Sequence, residues 1–323
     1  MSTFSEQQHR VGLIGAGEVV RRFYLPVLES RSDIQVRAIC SGDGRRAAEI
    51  AQLLKIPSVA VDYRSLLDDE EIESVFVCTP PYMHFEIASY AFQCGKNVLL
   101  EKPPCGTYEE LASLQAISAQ SGCVLDVTFN NAAREDNAWL VETVQQGKIG
   151  AIELIELEWL RTKPRPDKAW ANNPQTAGGG GILADLGSHL LRIGVSLVPQ
   201  ARRCIAYCRT TRHSSSCAQI EDIACANILV DEAVQIVLKV GWGMQMNVPV
   251  RFSVVAHGAT ASLSSKDYPV SSSDGYFSVL DRFIAAARLR QQSDLTAVNK
   301  AMRLLHALYE SSRLGVPMTV DLR

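Results

Sequence analysis

The sequence predicts an α/β chain, with an N-terminal domain built on a parallel sheet and a C-terminal α+β domain built on an open, mostly antiparallel sheet. In the first part, short continuous apolar strands alternate with amphipathic helical stretches, the pattern of a parallel sheet covered on both faces. Later, long alternating strands appear, such as "AIELIELEWLRTK" at 151–163. A chain of 323 residues is long enough for two domains, expected at 1–128 and 129–323.

The elements of the first domain follow one another in a regular order. A short apolar strand before Gly15 is followed by a glycine turn and a helix-like stretch. Gly95 is expected to close one of the later helices at its C-terminal end. Further strands are predicted at "IQVRAIC", "SVFVC", "NVLLE" and "CVLDVTF", and further helices at "GRRAAEIAQLLK", "HFEIASYAFQC" and "YEELASLQAISAQS".

The second domain begins with a predicted helix, "EDNAWLVETVQQG". Its strands are expected at 151–163, 201–210, 222–230, 233–242, 250–257 and 260–264. Two helices, at 276–291 and 294–313, and a short strand at "PMTV" complete it.

Composition narrows the class of protein. With 21% charged residues and a net charge of −3, nothing indicates a nucleic-acid or membrane-surface partner. The polar start "MSTFSEQQHR" lacks the apolar core of a signal peptide, and no apolar run reaches the roughly 20 residues of a membrane helix. Nine scattered cysteines without a CxxC pair are expected to be reduced. We expect a cytoplasmic protein without a metal site.

A glycine turn at the first strand–helix junction predicts a dinucleotide site and thus a Rossmann domain. Gly15 and Gly17 match the first two glycines of G-x-G-x-x-G, while Val20 occupies the third position. The glycines permit a tight turn and close approach of a pyrophosphate, whose charge is favoured at a helix N-terminus. Glu18 and Val19, which open the helix, are included in the predicted cofactor site.

The end of the second strand predicts which dinucleotide is bound. NAD sites usually carry an acidic residue there, which binds the ribose 2′-hydroxyl. Here Ser41 and Gly42 stand at the strand end, and Arg45 and Arg46 follow. A hydroxyl and two guanidinium groups suit a 2′-phosphate, so NADP is favoured. NAD remains the alternative for two reasons. If the strand end is shifted in register, Asp43 can bind the ribose 2′-hydroxyl, and the two arginines can simply form the exposed face of a helix.

Two further blocks carry charged or titratable groups at expected ligand-facing positions. Glu101 and Lys102 follow a buried strand and precede two prolines; a solvated strand end is the alternative. Asp185 and His189 are four residues apart on a predicted helix, after a run of glycines that permits close approach of a ligand. A structural histidine is the alternative there, and a metal pair lacks a third ligand.

Four blocks in this order resemble the Gfo/Idh/MocA family of NAD(P)-dependent oxidoreductases, which act mainly on sugars, inositols and their derivatives. The blocks are "GLIGAGEV", "DYRSLLDDEEIESVFVCTPPYMHFEIASYAFQCGKNVLLEKPP", "GKIGAIELIELEW" and "GGGGILADLGSHLLRIGVSLV". The resemblance implies that the segment around Thr79, Pro80 and His84 and the Glu101-Lys102-Pro103 segment line the nicotinamide pocket. It also implies that Lys102, Asp185 and His189 are catalytic.

These residues suit hydride transfer at a carbinol carbon, which develops charge on oxygen. A protonated Lys102 can stabilise that charge or exchange a proton with the oxygen. By analogy with the family, His189 is the proton donor or acceptor and Asp185 orients the substrate. Lys102, Asp185 and His189 are therefore also expected to bind the substrate.

Further substrate contacts are expected from Asn130 and from the basic loop "RTKPRPDKAW", which contains Arg161 and Trp170. Such a loop fits a phosphorylated or otherwise acidic sugar, although a solvated loop is equally compatible. Asn130 and Asn131 stand where many relatives have an arginine-containing segment, which leaves the substrate open.

The predicted function is an NADP(H)-dependent oxidoreductase of sugars, cyclitols or their derivatives. A sugar-sensing regulator that binds dinucleotide without turnover is one alternative, and an imine or other non-sugar reductase is another. An open sheet leaves one face to be covered, so we expect a homodimer or homotetramer formed through the C-terminal sheet.

Overall fold

The computed structural model describes residues 8–60, 62–164, 173, 180–212, 220–271 and 273–323. These residues form two compact units. The first contains the described residues up to Cys105, with Glu109–Thr128 and Tyr276–Asp294, and the second contains Gly106–Tyr108, Phe129–Gly275 and Leu295–Arg323. The chain therefore returns to the first unit at Tyr276. The expected division into 1–128 and 129–323 has a single boundary and does not contain this return.

The first unit is built on a six-stranded sheet in which every neighbouring pair of strands is parallel, in the order β3-β2-β1-β4-β5-β6. The central strands are fully buried, as their continuous apolar runs predicted. The predicted α/β fold class with a parallel sheet is confirmed. The strands are β1 (His9–Ile14), β2 (Ile34–Cys40), β3 (Ser58–Ala60), β4 (Ser74–Val77), β5 (Asn97–Glu101) and β6 (Leu125–Thr128).

Helices connect these strands. They are α1 (Leu25–Ser30), α2 (Gly44–Leu54), α3 (Tyr63–Leu67), α4 (His84–Gln93) and α5 (Tyr108–Ser121), with a π-helical turn at Val20–Tyr24 and a 3-10 turn at Pro81–Met83. The sequence patterns did not predict β3 or α3, because β3 has only three residues and α3 only five. A capping box between Asp62 and Ser65 starts α3.

The second unit is built on a seven-stranded sheet of order β12-β11-β7-β10-β9-β8-β13. Among its paired strands only β7 and β10 run parallel, so the predicted mostly antiparallel sheet is confirmed. The strands are β7 (Ile152–Arg161), β8 (Arg203–Thr211), β9 (Ile223–Val230), β10 (Val234–Gly241), β11 (Val250–Gly258), β12 (Ser262–Ser264) and β13 (Met318–Asp321).

Helices α8 and α10 pack against this sheet. Ile155 and Leu157 of β7 are buried on the covered face, and the alternate residues Glu156 and Glu158 are half-buried on the other. The helices of this unit are α6 (Asn130–Ala133), α7 (Glu135–Gln145), α8 (Ser188–Leu197) and α10 (Thr296–Leu314), with a π-helical turn at Leu183–Gly187 and a 3-10 turn at Ser265–Asp267.

One helix that is flanked in sequence by segments of the second unit, α9 (Tyr276–Leu289), belongs to the first unit. Arg282 of α9 donates from Nε to the buried carboxylate of Asp126 in β6, at 2.9 Å. Phe283 packs edge-on against Phe76 of β4, with ring centroids 5.9 Å apart. An ion pair to a buried carboxylate and an aromatic contact thus attach α9 to the parallel sheet.

Within the described residues, no helix is both long enough and apolar enough to cross a bilayer. The same residues contain no group of three side chains arranged to hold a metal ion. The eight described cysteines all have free thiols.

Candidate functional site

The glycine turn after β1 combines one sterically constrained glycine with one that faces open space. Gly15 has φ +108°, a conformation that favours glycine, and a Cβ there would stand 2.6 Å from the backbone oxygen of Cys78. A Cβ on Gly17 would meet nothing within 4 Å. Gly15 is therefore required by the fold itself, whereas Gly17 faces open space of the kind that a pyrophosphate needs. Glu18 is exposed and Val19 half-buried in the turn that follows.

At the end of β2, an acidic residue shares the predicted 2′-phosphate site. The carboxylate of Asp43 caps α2 by accepting from the backbone N–H of Arg46 at 3.2 Å. It also pairs with the Arg46 guanidinium, with Nε and Oδ2 3.0 Å apart. Arg45 is exposed, and Ser41 Oγ accepts from the Asp43 backbone N–H at 3.4 Å. A Cβ on Gly42 would meet nothing within 4 Å.

His84 links the segment after β4 to the segment after β5. Its Nε2 lies 2.9 Å from the carbonyl oxygen of Thr79, and its Nδ1 lies 3.1 Å from that of Pro103. The side chain is fully buried, and burial lowers the pKa of His84 to about 4. A neutral ring carries one N–H and therefore donates to only one of these two carbonyl oxygens at a time, so the described contacts of His84 are with the protein. Pro80 is half-buried in the same segment.

Thr79 has a side-chain oxygen that is buried without a hydrogen-bond partner among the described residues. An unsatisfied buried hydroxyl is unusual and costs free energy unless something binds it. This hydroxyl lies directly after β4, at the carboxyl edge of the parallel sheet, where a ligand is expected.

Glu101 ends β5 with its side chain turned into the first unit. Its Oε1 accepts hydrogen bonds from the hydroxyls of Tyr24 at 3.0 Å and Tyr276 at 3.3 Å. Its Oε2 accepts from the Lys102 backbone N–H at 3.2 Å. Only 5% of Glu101 is exposed, and burial raises its pKa to about 7, opposed by the Lys102 charge and these hydrogen bonds. Lys102, the next residue, is half-buried at the carboxyl edge of the sheet.

In the second unit, Asp185 and His189 lie on one continuous helical run. Asp185 belongs to the π-helical turn, and His189 lies in the first turn of α8. The helix predicted through both residues therefore begins as a wider π-helical turn at Asp185. Wide π-helical turns occur frequently at functional sites. Asp185 is half-buried, and His189 is 4% exposed.

Aromatic rings surround the imidazole of His189. The Phe129 ring meets it edge-on and the Trp159 ring at a tilt, both with centroids 5.8 Å away. The indole Nε1 of Trp159 is buried without a hydrogen-bond partner among the described residues. The guanidinium of Arg161 lies 5.4 Å from the centre of the Trp159 ring, which places the predicted substrate residue Arg161 near this group. Sequence reasoning missed Trp159 because its place in the strand pattern marks it as a core residue.

The described members of the glycine run approach protein groups. A Cβ on Gly180 would collide with the Tyr309 hydroxyl, and one on Gly181 with the backbone oxygen of Glu221. The Glu221 carboxylate accepts from the backbone N–H groups of Gly181 and Leu183 at 3.0 Å and from the Tyr309 hydroxyl at 2.8 Å. At Gly180 and Gly181 the space that a Cβ would occupy is therefore filled by protein atoms, so the packing of the second unit itself requires these glycines. Sequence reasoning missed Glu221 and Tyr309, because neither stands in a recognisable motif.

Of the two remaining predicted substrate residues, only Asn130 lies among the described residues. Asn130 is buried, and its Nδ2 donates to the carbonyl oxygen of Asp274 at 2.9 Å, so its amide joins two segments of the second unit. Trp170 lies outside the described residues, with most of the basic loop.

Comparison with known proteins gives curated relatives that match more than half of this chain. The chain is 28% identical over 182 residues to scyllo-inositol 2-dehydrogenase (NADP(+)) IolW of Bacillus subtilis (strain 168), covering 56% of this chain and 49% of the relative. It is 29% identical over 190 residues to D-glucoside 3-dehydrogenase of Escherichia coli (strain K12), covering 59% and 54%. The chain thus spans about half the length of these curated relatives.

Solved structures share the fold across nearly the whole chain. GenD2 from gentamicin A biosynthesis, in complex with NAD, superposes with a TM-score of 0.89 at 19% identity, covering 98% of this chain and 97% of that one. Levoglucosan dehydrogenase, in complex with NADH and levoglucosan, gives a TM-score of 0.82 at 19% identity, covering 98% and 100%.

Two family models account for most of the sequence. The model of the GFO_IDH_MocA oxidoreductase family, with its NAD-binding Rossmann fold, matches residues 9–129. The model of the GFO/IDH/MocA C-terminal domain matches residues 138–264. Both units of the structure are thereby assigned, and the chain belongs to the Gfo/Idh/MocA family of oxidoreductases.

Proposed function

We propose that the chain is an NADP(H)-dependent oxidoreductase that transfers a hydride between nicotinamide and the carbinol or keto carbon of a sugar, a cyclitol or a derivative of these. The observation that carries the proposal is the position of Lys102. It follows β5 at the carboxyl edge of the same parallel sheet whose β1 ends in the open glycine turn. Ligands of such sheets bind at this edge.

The residues present fit a dinucleotide. The open side of Gly17 leaves room for a pyrophosphate, and the unsatisfied hydroxyl of Thr79 offers a hydrogen bond further along the edge. When bound, the nicotinamide donates or accepts the hydride. The proposed cofactor residues are Gly15, Gly17, Glu18, Val19, Ser41, Gly42, Arg45, Arg46, Thr79, Pro80, His84, Glu101 and Lys102.

Side chains of the protein transfer the proton to or from the substrate oxygen and stabilise the charge that develops on it. The Lys102 ammonium stabilises developing charge on the substrate oxygen. His189 donates a proton to that oxygen or accepts one from it, and Asp185 orients the substrate. The aromatic rings around His189 support this role, because they keep water from the imidazole.

NADP is proposed over NAD because Arg45 is exposed at the start of α2 and carries a charge that suits a 2′-phosphate. The pairing of Asp43 with Arg46 works against this preference, since it neutralises one of the two predicted cations. The preference therefore depends mainly on Arg45 and Ser41.

The substrate class follows from the relatives and from the second unit. The relatives named above act on an inositol and on a glucoside. Trp159 offers an indole N–H to a substrate hydroxyl, and Asn130, Arg161 and Trp170 stay proposed substrate residues. The guanidinium of Arg161 and the exposed Lys163 support a narrower proposal of a phosphorylated or otherwise acidic derivative.

A turnover screen tests the proposal. The protein is incubated with NADP⁺ or NAD⁺ and a set of sugars, cyclitols and their phosphates, and with the reduced cofactors and keto-sugars, while absorbance of the reduced nicotinamide is followed. Turnover of at least one polyol or keto-sugar, faster with the phosphorylated cofactor, is expected. Tight cofactor binding without any turnover would instead identify a sensor, and turnover of cyclic imines alone would identify an imine reductase.

Assembly and location complete the proposal. We propose a homodimer or homotetramer formed through the face of the second sheet opposite α8 and α10, where the apolar side chain of Leu229 is 39% exposed beside Gln235. Light scattering checks it, and a monomer at micromolar concentration would contradict it. The eight free thiols support a reducing compartment, the cytoplasm.

A further inference from the structure

The carboxylate of Glu101 is held by residues that are distant in sequence. Tyr24 follows the glycine turn, and Tyr276 begins α9, 175 residues after Glu101. Their hydroxyls converge on the same oxygen, at 3.0 and 3.3 Å. All three residues are at most 5% exposed. Such a buried carboxylate is stable only while its hydrogen bonds are made.

The hydrogen bonds have a defined direction. Tyr24 has a single hydroxyl proton, which it donates to Glu101. Thr128 Oγ1 lies 2.9 Å from the same hydroxyl and must therefore donate to it. The resulting path runs from Thr128 through Tyr24 to Glu101, whose other oxygen accepts from the backbone N–H of Lys102. The position of the Lys102 backbone thus depends on this carboxylate.

The charged and titratable groups that face Glu101 are Lys102, Tyr24, Tyr276 and Cys78. Burial raises the pKa of Glu101 to about 7, and the Lys102 charge and the tyrosine hydroxyls lower it. Burial, with the Glu101 charge, raises the pKa values of Tyr24 and Cys78 well above their usual range, so both stay neutral. Glu101 is thus a group of this cluster whose charge changes near neutral pH.

We propose that Tyr24 and Tyr276 are positioning residues for Lys102: their hydroxyls hold the Glu101 carboxylate against the Lys102 backbone and keep its negative charge beside the lysine. This inference rests on the proposed catalytic role of Lys102. It gives the return of α9 to the first unit a function, because Tyr276 reaches Glu101 only through that return.

Phenylalanine variants isolate the hydroxyl groups. In Tyr276→Phe the ring remains stacked on Phe23, whose centroid is 5.0 Å away. In Tyr24→Phe the contact with the Phe76 ring at 5.8 Å remains. Tyr90→Phe is the matched control, because Tyr90 also donates to a carboxylate, that of Asp68 at 2.8 Å, on the surface of the same unit.

The experiment uses the NMR signal of Lys102 to detect the ionisation of Glu101. It needs no substrate, so a negative result here can be distinguished from a failure of the proposed enzymatic activity. Lysines are reductively methylated with ¹³C-formaldehyde, the Lys102 signal is identified by its loss in Lys102→Arg, and its chemical shift is followed from pH 5 to pH 9. We expect an inflection near neutral pH. It should move up by about one pH unit in Tyr276→Phe and in Tyr24→Phe, since each loses a hydrogen bond to the ionised form.

Glu101→Gln should remove the inflection, and Tyr90→Phe should leave it unchanged. Glu101→Gln keeps the shape of the side chain and tests whether the inflection arises from Glu101, and if one tyrosine variant fails to fold, the other still tests the role of a tyrosine hydroxyl. A Lys102 signal without an inflection would overturn the proposal, as would an inflection that is the same in Glu101→Gln or in both tyrosine variants as in the unchanged protein.

Discussion

The backbone N–H of Gly181 lies 3.0 Å from both carboxylate oxygens of Glu221. Leu183 donates to the same carboxylate, which therefore sits at the start of the helical run that carries Asp185 and His189. A negative charge is favoured at a helix N-terminus. Glu221 thus satisfies backbone N–H groups at the start of this helical run.

The first prediction concerns Gly181→Ala. The new methyl group would collide with the backbone oxygen of Glu221. A backbone atom cannot move aside as the end of a flexible side chain can. We expect the free energy of unfolding to fall by about 1–3 kcal/mol, the usual cost of overpacking a buried position. Gly44→Ala is the control, because a Cβ there would meet nothing within 4 Å, and its stability should stay equal or rise slightly. Equal denaturant midpoints for both variants would contradict this account.

The second prediction concerns cofactor preference. Asp43→Asn removes the carboxylate that pairs with Arg46, so a second guanidinium becomes available to a 2′-phosphate. Affinity for NADPH should rise relative to NADH, while Arg45→Ala should lower NADPH affinity by about tenfold, the value of one charge-assisted hydrogen bond. Fluorescence titration with both cofactors measures the ratio. An NADPH/NADH ratio near one in the unchanged protein would count against the proposed preference.

The third prediction is a pH dependence caused by His84. Its folded pKa of about 4 lies below the unfolded value of 6.5, so the neutral ring stabilises the fold above pH 6.5, and this contribution is lost as pH falls towards 4. His84→Gln should be destabilising at pH 7.5. Its penalty should be smaller by about 2 kcal/mol at pH 5, because only the unchanged protein still has a histidine to protonate on unfolding.

The measurement is the difference in unfolding free energy between His84→Gln and the unchanged protein at each pH. Other titrating groups, including Glu101, cancel in that difference. A penalty that is the same at both pH values would show that the ring nitrogens contribute nothing through their protonation state.

The parts of the fold that could be predicted are those encoded locally. The strand β5 and the charged couplet at its end could be predicted, because an apolar run is followed by Glu101, Lys102 and two prolines. The helix α9 was also predicted, but its apolar stripe carries no information about which sheet it covers. The bonds from Tyr24 and Tyr276 to Glu101 span 77 and 175 residues, and those from Gly181 to Glu221 span 40. Partners so far apart are determined by the fold and leave no local pattern.

The last prediction concerns the lysine itself. Lys102→Ala removes the ammonium that balances charge on the reacting oxygen, while Gly15 and Gly17 keep the cofactor turn. On a substrate identified by the screen, kcat should fall by about 10²–10⁴-fold, the usual range for a positioned acid or base, with little change in cofactor affinity. His189→Ala should cause a similar or smaller loss. If Lys102 and His189 act as a unit, the double variant should lose less than the product of the single losses.

A purely structural Lys102 predicts the reverse pattern, in which thermal stability and cofactor binding fall while kcat of the folded fraction stays near normal. Near-normal kcat in Lys102→Ala would therefore return Glu101 and Lys102 to the status of a strand end followed by a turn.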